Sequence, residues 1–217
     1  MKIPPWSFST ISAYETCPLK YYASKVSKEF PEKPTEATTW GNRVHTAMEH
    51  RVVKKTPLPE GMGQWEEIAA LFDSPGGQVL VEKRLSLNKQ FQPCAWDSSW
   101  VRGIVDIGVL KEKTGKAYDW KTGKPKTDSL QMKLFAALMM HSYPYLENVK
   151  TGFVWLINNT MTEAKYTRDE LPSIWEEFLP KVHRWERAYE LDKWEPKPSG
   201  LCKQYCPNLK CNFNGRR

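Results

Sequence analysis

The stretch that most constrains the fold runs from Gln78 to Lys121, where the chain leaves helical spacing for the alternation of strands. Val79 and Val81, with Leu85 and Leu87 beyond them, recur as they do in a half-buried strand. Val101 to Leu110 makes a second run, Glu112-Lys113-Thr114-Gly115 reads as a turn, and Lys116 to Lys121 returns as a third. The three form a meander. Upstream, Ser7 caps a helix carrying Ile11, Tyr14, Cys17, Leu19 and Tyr22, which Pro18 should end or kink. A second helix runs from about Thr35 past His50, with Trp40, Val44, Met48 and Val52 on one stripe, and Gln64 to Phe72 is a short third. Downstream, Thr122-Gly123-Lys124-Pro125 breaks the meander, and Asp128 or Ser129 caps a helix through Gln131, Leu134, Phe135, Leu138 and His141. Thr151 to Ile157 is an apolar fourth strand, and a helix from about Leu171 to Leu191 presents Ile174, Trp175, Phe178, Val182 and Trp185. The pattern predicts an α/β fold, a meander and a further strand among helices. It is expected in one domain spanning residues 1–217, with a core over about 35–192.

Asp119 and Lys121, two apart on a strand, leave the same face of the sheet. If the turn centres between Lys113 and Thr114, Asp106 lies opposite Lys121 and joins them, whereas a bulge at Gly115 would reverse the relation. Two carboxylates in an apolar meander are costly unless something neutralises them, and a hard divalent cation such as Mg²⁺ or Mn²⁺ does so with oxygen ligands. The lysine then holds a nucleophilic water or a phosphate oxygen, which is what phosphodiester cleavage requires. The competing reading of D-x-K is a surface ion pair. Glu82, on the first strand, reads as an ordinary strand carboxylate with a position from which it can assist.

Lys and Arg number 32 against 25 Asp and Glu, a formal charge of +7, and the chain holds 10 Trp, 9 Tyr and 8 Phe. The balance favours an anionic partner, and the aromatic rings are surfaces on which bases can stack. No apolar run approaches the roughly 18 residues of a membrane span. Met1 leads into Lys2-Ile3-Pro4-Pro5 with no apolar stretch, so a cytoplasmic protein is expected. Of five cysteines, Cys202, Cys206 and Cys211 crowd the tail, and Cys17 supplies a distant fourth thiol. Four thiolates make a closed metal site, and the spacing, with prolines beside cysteines, suits an iron-sulfur cluster somewhat better than structural Zn²⁺. Such a clasp would join residues about 7–25 to 195–217. Cys94 reads as a plain, partly buried residue.

Four stretches together resemble the RecB-like branch of the PD-(D/E)XK nuclease superfamily. Gly41-Asn42-Arg43-Val44-His45 is similar to its G-x-x-x-H helix motif, and Gly103-Ile104-Val105-Asp106 to its G-x-x-D strand. Asp119-Trp120-Lys121-Thr122-Gly123 resembles its D-x-K-T-G signature, and Gln131-Met132-Lys133-Leu134-Phe135 its Q-x-x-x-Y helix, with Phe135 where the motif has Tyr. The resemblance implies a restriction-endonuclease-like core, a mixed central sheet flanked by helices. It also implies that His45, Asp106 and Asp119 bind a metal with the main-chain carbonyl of Trp120, that Lys121 positions water, and that Gln131 touches substrate or orients Lys121. AddB-type and CRISPR-associated members of the branch hold a [4Fe-4S] cluster with one early and three late cysteines, which points to Cys17, Cys202, Cys206 and Cys211. The implied activity is a Mg²⁺- or Mn²⁺-dependent DNA exonuclease acting on ends or single strands, in a bacterial or phage-infected cell. The alternative is a non-catalytic DNA-end-binding accessory to a recombination or CRISPR-like complex. Lys20, Lys25, Lys28, Lys124 and Lys126 are expected backbone contacts.

Overall fold

The computed structural model describes residues 2–73, 76–125 and 130–216. Its helices are α1 (Phe8–Thr16), α2 (Pro18–Tyr21), α3 (Glu36–Lys54), α4 (Glu66–Ala70), α5 (Leu130–Ser142) and α6 (Leu171–Leu191). Its strands are β1 (Gln78–Leu87), β2 (Val101–Lys111), β3 (Thr114–Lys121), β4 (Asn148–Trp155) and β5 (Thr160–Thr167). Two compact units divide the chain: Thr35–Trp175 is one, and Met1–Pro34 with Glu176–Arg217 is the other, the division falling within α6. No helix among the described residues is long and apolar enough to cross a membrane.

The unit Thr35–Trp175 holds a five-stranded mixed sheet in the order β1-β2-β3-β4-β5. Neighbours are antiparallel except β3 and β4, which run parallel. Parallel strands need a crossover, and α5 supplies it. Met132 and the whole run Leu134 to Met140 are buried, as befits a helix covered all round rather than along one stripe. Gly103 lets α5 approach β2: a Cβ there would stand 2.8 Å from Leu138 Cδ1.

The β2–β3 turn differs from expectation. Lys111 pairs with Thr114, so Glu112 and Lys113 form the turn, and Glu112 takes φ 50°. Carried forward, this register sets Asp106 against Asp119 rather than Lys121. The slip is two residues, and a period of two preserves the face. Gly115 pairs regularly with Leu110, so no bulge intervenes.

Other expectations shift less. Trp40 is 39% exposed instead of joining the buried stripe of Val44, Met48 and Val52. The short third helix is a 3₁₀ turn, Gly63–Trp65, leading into α4. Strand β5 adds to the expected set, because Thr160–Thr167 is an edge strand rich in Thr, Glu and Lys that buries little beyond Tyr166. The cap assigned to Asp128 or Ser129 lies outside the described residues.

In the second unit, α1 ends at Thr16, Cys17 is extended at φ −166°, and Pro18 opens α2, where its missing N–H costs nothing. Trp194 is ringed by Tyr14, Tyr21, Tyr22 and Tyr189 at centroid distances of 4.9 to 6.3 Å. The Tyr21 and Tyr189 hydroxyls meet at 3.1 Å, and Tyr14 donates to the Arg184 carbonyl at 3.0 Å. These rings unite the first helices with the latter part of α6.

Candidate metal centre

His45 reaches the sheet because of its neighbours on α3. Val44, Ala47, Met48 and Val52 are buried in one cluster with Ile107 and Val109 of β2 and Tyr118 and Trp120 of β3. Burial of that stripe sets the rotation of the helix over the sheet. His45 Nε2 then lies 2.9 Å from the Trp120 carbonyl oxygen, and Nδ1 lies 3.2 Å from Asp106 Oδ2. The same Oδ2 accepts the Trp120 N–H at 2.9 Å. Carbonyl and carboxylate oxygens only accept, so the ring donates to both at once only when it carries two protons, and a neutral ring donates to one of them. Burial pushes the His45 pKa down, but the hydrogen bond to Asp106, the charges of Asp106 and Asp119 and the Trp120 carbonyl outweigh it, and the net shift is upward.

Asp119 is 6% exposed. Its Oδ1 accepts from Gln131 Nε2 at 2.7 Å. Its buried Oδ2 is held in an ion pair with Lys121 Nζ at 2.7 Å. Burial first, and then repulsion from Asp106, push the Asp119 carboxyl up to about 6 against the pull of Lys121 and His45. Lys121 Nζ donates to Gln131 Oε1 at 3.3 Å, so one amide braces both the carboxylate and the ammonium.

Glu82 stands in this group, at the position from which the sequence reading lets it assist. A Glu82 oxygen, an Asp106 oxygen and a His45 ring nitrogen all lie within 4.8 Å of one another. Glu82 adopts φ 45° in mid-strand, between the pairs Val81↔Ile107 and Lys83↔Val105. That left-handed conformation costs on the order of 1 kcal/mol and breaks the strict alternation of the strand. Burial and the charge of Asp106 push the Glu82 pKa up against His45, with Glu49 and Asp119 adding to the rise. The available signal was its place opposite Asp106 in the hairpin.

The structure therefore brings together His45, Asp106, Asp119, the Trp120 carbonyl, Lys121 and Gln131, and adds Glu82. Two carboxylates and an imidazole, those of Glu82, Asp106 and His45, lie close enough together to suit a hard divalent cation, the nitrogen leaning toward Mn²⁺, whereas Asp119 stands outside that group. Gathered oxygen and nitrogen donors of this kind are what such an ion satisfies. Phe135 is buried beside Gly103, leaving no hydroxyl at that position. Lys20 and Lys25 both pair with Glu32 at 3.0 Å, Lys124 is exposed, and Lys126 lies outside the described residues.

In the other unit, Cys17, Cys202, Cys206 and Cys211 line one cleft, all as free thiols. Cys17 Sγ accepts N–H groups of Lys20 at 3.5 Å and Lys197 at 3.4 Å, and Cys202 Sγ that of Ser199 at 3.4 Å. No three of the sulfurs lie within 4.8 Å of one another, so they form no compact metal cluster as they stand. Cys94 stays apart, its backbone paired with Ser86.

A model of the PD-(D/E)XK nuclease superfamily matches residues 5–211. The Gene 69 protein of Mycobacterium phage D29 is 24% identical over 150 residues, which are 67% of this chain and 55% of that protein. The chain thus spans little more than half the length of that curated relative. A solved structure described as a candidate exonuclease from Eubacterium rectale superposes with a TM-score of 0.61 at 14% identity, covering 96% of this chain and 89% of that one. At that identity the likeness concerns the fold. With a family match running nearly end to end, and a mixed sheet that sets two carboxylates and a lysine side by side, the chain belongs to the PD-(D/E)XK nuclease superfamily.

Proposed function

We propose that this chain is a metal-dependent DNA nuclease, an exonuclease acting on DNA ends or single strands in recombination, repair or phage DNA processing, with residues 1–217 working as one nuclease domain. The observation that carries the reading is the meeting of His45, Glu82 and Asp106 within 4.8 Å of one another, with Asp119 and Lys121 paired at 2.7 Å on β3. Those four acidic and imidazole side chains and the Trp120 carbonyl would hold the ion. When bound, Mg²⁺ or Mn²⁺ supplies a Lewis acid for a phosphoryl oxygen and acidifies a water. Lys121, braced by Asp119 and Gln131 and 31% exposed at its side chain, offers its ammonium to the attacking water or a non-bridging phosphate oxygen. Gln131 holds both of its partners and so orients rather than reacts. Lys20, Lys25, Lys124 and Lys126 would add electrostatic attraction for the backbone. The phage relative and the exonuclease-like neighbour support DNA processing as the setting.

The test is incubation of purified protein with end-labelled single and double strands, with and without Mn²⁺. Asp119→Ala and Lys121→Ala should each abolish cleavage while DNA binding persists, and EDTA should act likewise. Wild-type rates in either variant would overturn the assignment. Tight DNA-end binding by the parent without metal-dependent cleavage would mark a binding accessory instead.

We infer further that Cys17, Cys202, Cys206 and Cys211 hold a structural [4Fe-4S] cluster. Their shared cleft and the N–H groups directed at Cys17 and Cys202 support a thiolate-bound group.

A further inference from the structure

Trp96 stands on a short 3₁₀ turn, Trp96–Ser98, in the connection between β1 and β2. The connection is tied down along its length. Ser86 Oγ donates to the Cys94 carbonyl at 2.7 Å, the Cys94 N–H returns to the Ser86 carbonyl at 3.2 Å, and the Trp100 N–H reaches the Leu87 carbonyl at 2.8 Å. Asn88 Oδ1 accepts from the N–H groups of Gln90 and Gln92 at 2.9 and 3.0 Å. The backbone that carries the Trp96 indole is thus held in place.

Two guanidinium groups lie over it. Arg84 Cζ is 5.3 Å and Arg102 Cζ 4.8 Å from the ring centre. The register explains their meeting, since Arg84 pairs with Ile104 and Ser86 with Arg102, which makes the two arginines diagonal neighbours on adjacent strands. Like charges so placed repel, and among the described residues neither guanidinium has a carboxylate partner. Stacking on the ring holds each in place while leaving the N–H edges open, the arrangement that takes a phosphate bidentately. Along the strands, Arg84 is two residues from Glu82 and Arg102 four from Asp106. At about 3.3 Å per residue those separations are roughly 7 and 13 Å, about two and four nucleotides at roughly 3.4 Å each along a strand.

We propose that Arg84 and Arg102, mounted on Trp96, bind backbone phosphates flanking the bond to be cleaved and so anchor the substrate strand. The proposal rests on the nuclease reading above and assigns that site a subsite. Trp96 acts as a positioning residue.

The test measures fluorescence anisotropy of an end-labelled single-stranded oligonucleotide in EDTA, over a salt series, for the parent and Arg84→Gln/Arg102→Gln. Affinity should fall about tenfold or more, and the slope of log K against log salt should shrink by about 1.4, at about 0.7 for each phosphate no longer neutralised. In Mn²⁺ the KM for cleavage should rise by the same factor with kcat within about twofold, because neither arginine touches the reacting atoms. Trp96→Ala should weaken binding in the same direction, and Trp96→Phe should restore most of it. Arg84→Lys/Arg102→Lys serves if the glutamine variant fails to fold, with most of the salt slope kept and affinity down severalfold because the fork is lost. An unchanged affinity and slope in a double variant that unfolds at the parent's temperature, or a loss confined to kcat, overturns the subsite while the nuclease assignment stands. A parent that neither binds nor cleaves DNA removes both.

Discussion

Asp119 meets two opposed demands. A metal ligand must be ionised, yet burial and Asp106 hold its carboxyl up at about 6 against an ordinary value of 3.8. Without metal, the folded state keeps a proton that the unfolded state has lost between those values. Stability must therefore fall as pH rises from about 4 to about 6, and the penalty stays in force above that window. Asp119→Asn removes it. In EDTA the variant should melt above the parent at pH 7.5, with the difference vanishing near pH 4, while cleavage in Mn²⁺ is lost. Calorimetry across that pH range checks this, and a gap that does not change with pH would show that the carboxyl is not raised. His45→Ala and Glu82→Gln should instead raise the Mn²⁺ needed for half-maximal cleavage by about tenfold or more, part of the activity returning at high metal. If melting collapses in His45→Ala and no metal concentration restores cleavage, the histidine is a packing residue. An unaltered metal titration in Glu82→Gln would remove that carboxylate from the ligand set.

Among the elements, α3 converts apolar burial into the placement of one ring. Met48 is fully buried in the cluster that seats this helix on β2 and β3. Met48→Ala should cost about 2 to 5 kcal/mol and also raise the metal requirement, because the rotation that aims His45 loosens with it. The helix begins with a capping box in which Thr35 and Thr38 serve each other's N–H groups. Thr35→Ala should cost only about 1 kcal/mol and leave metal use alone, since the cap lies at the first turn and not at the stripe. Urea denaturation beside Mn²⁺ titration separates the two. Equal metal dependence in both variants would mean that packing of α3 does not set the position of His45.

Across the molecule, the proposed cluster ties Cys17 to the tail within a single compact unit. Closing a loop over almost the whole chain restricts the unfolded ensemble by about 4 to 5 kcal/mol, if a metal clip behaves like a disulfide of that span. Cys17→Ser or Cys206→Ser should therefore cost stability and solubility before chemistry. Protein purified without air should be brown and contain iron and sulfide. A colourless protein with stoichiometric zinc would keep the clasp and reject the cluster. Full stability in both variants, with neither metal present, would reject the clasp itself.

Local periodicity was enough to define the strands of the hairpin, the buried faces of α3 and α6 and the shared face of Asp106, Asp119 and Lys121. A two-residue error in the turn leaves a face unchanged, so the site survived the wrong register. Everything that periodicity did not carry was set by the meeting of distant segments. Glu82 enters the site through a left-handed backbone angle that its side chain does not favour and that only the surrounding hairpin sustains. Trp40 falls out of the buried stripe because burial depends on which neighbours arrive, and the polar edge strand β5 gains its identity by pairing with β4. The raised Asp119 carboxyl likewise exists only once the fold has excluded water from it and set Asp106 beside it, since a pKa shift of this kind belongs to an environment and not to a residue.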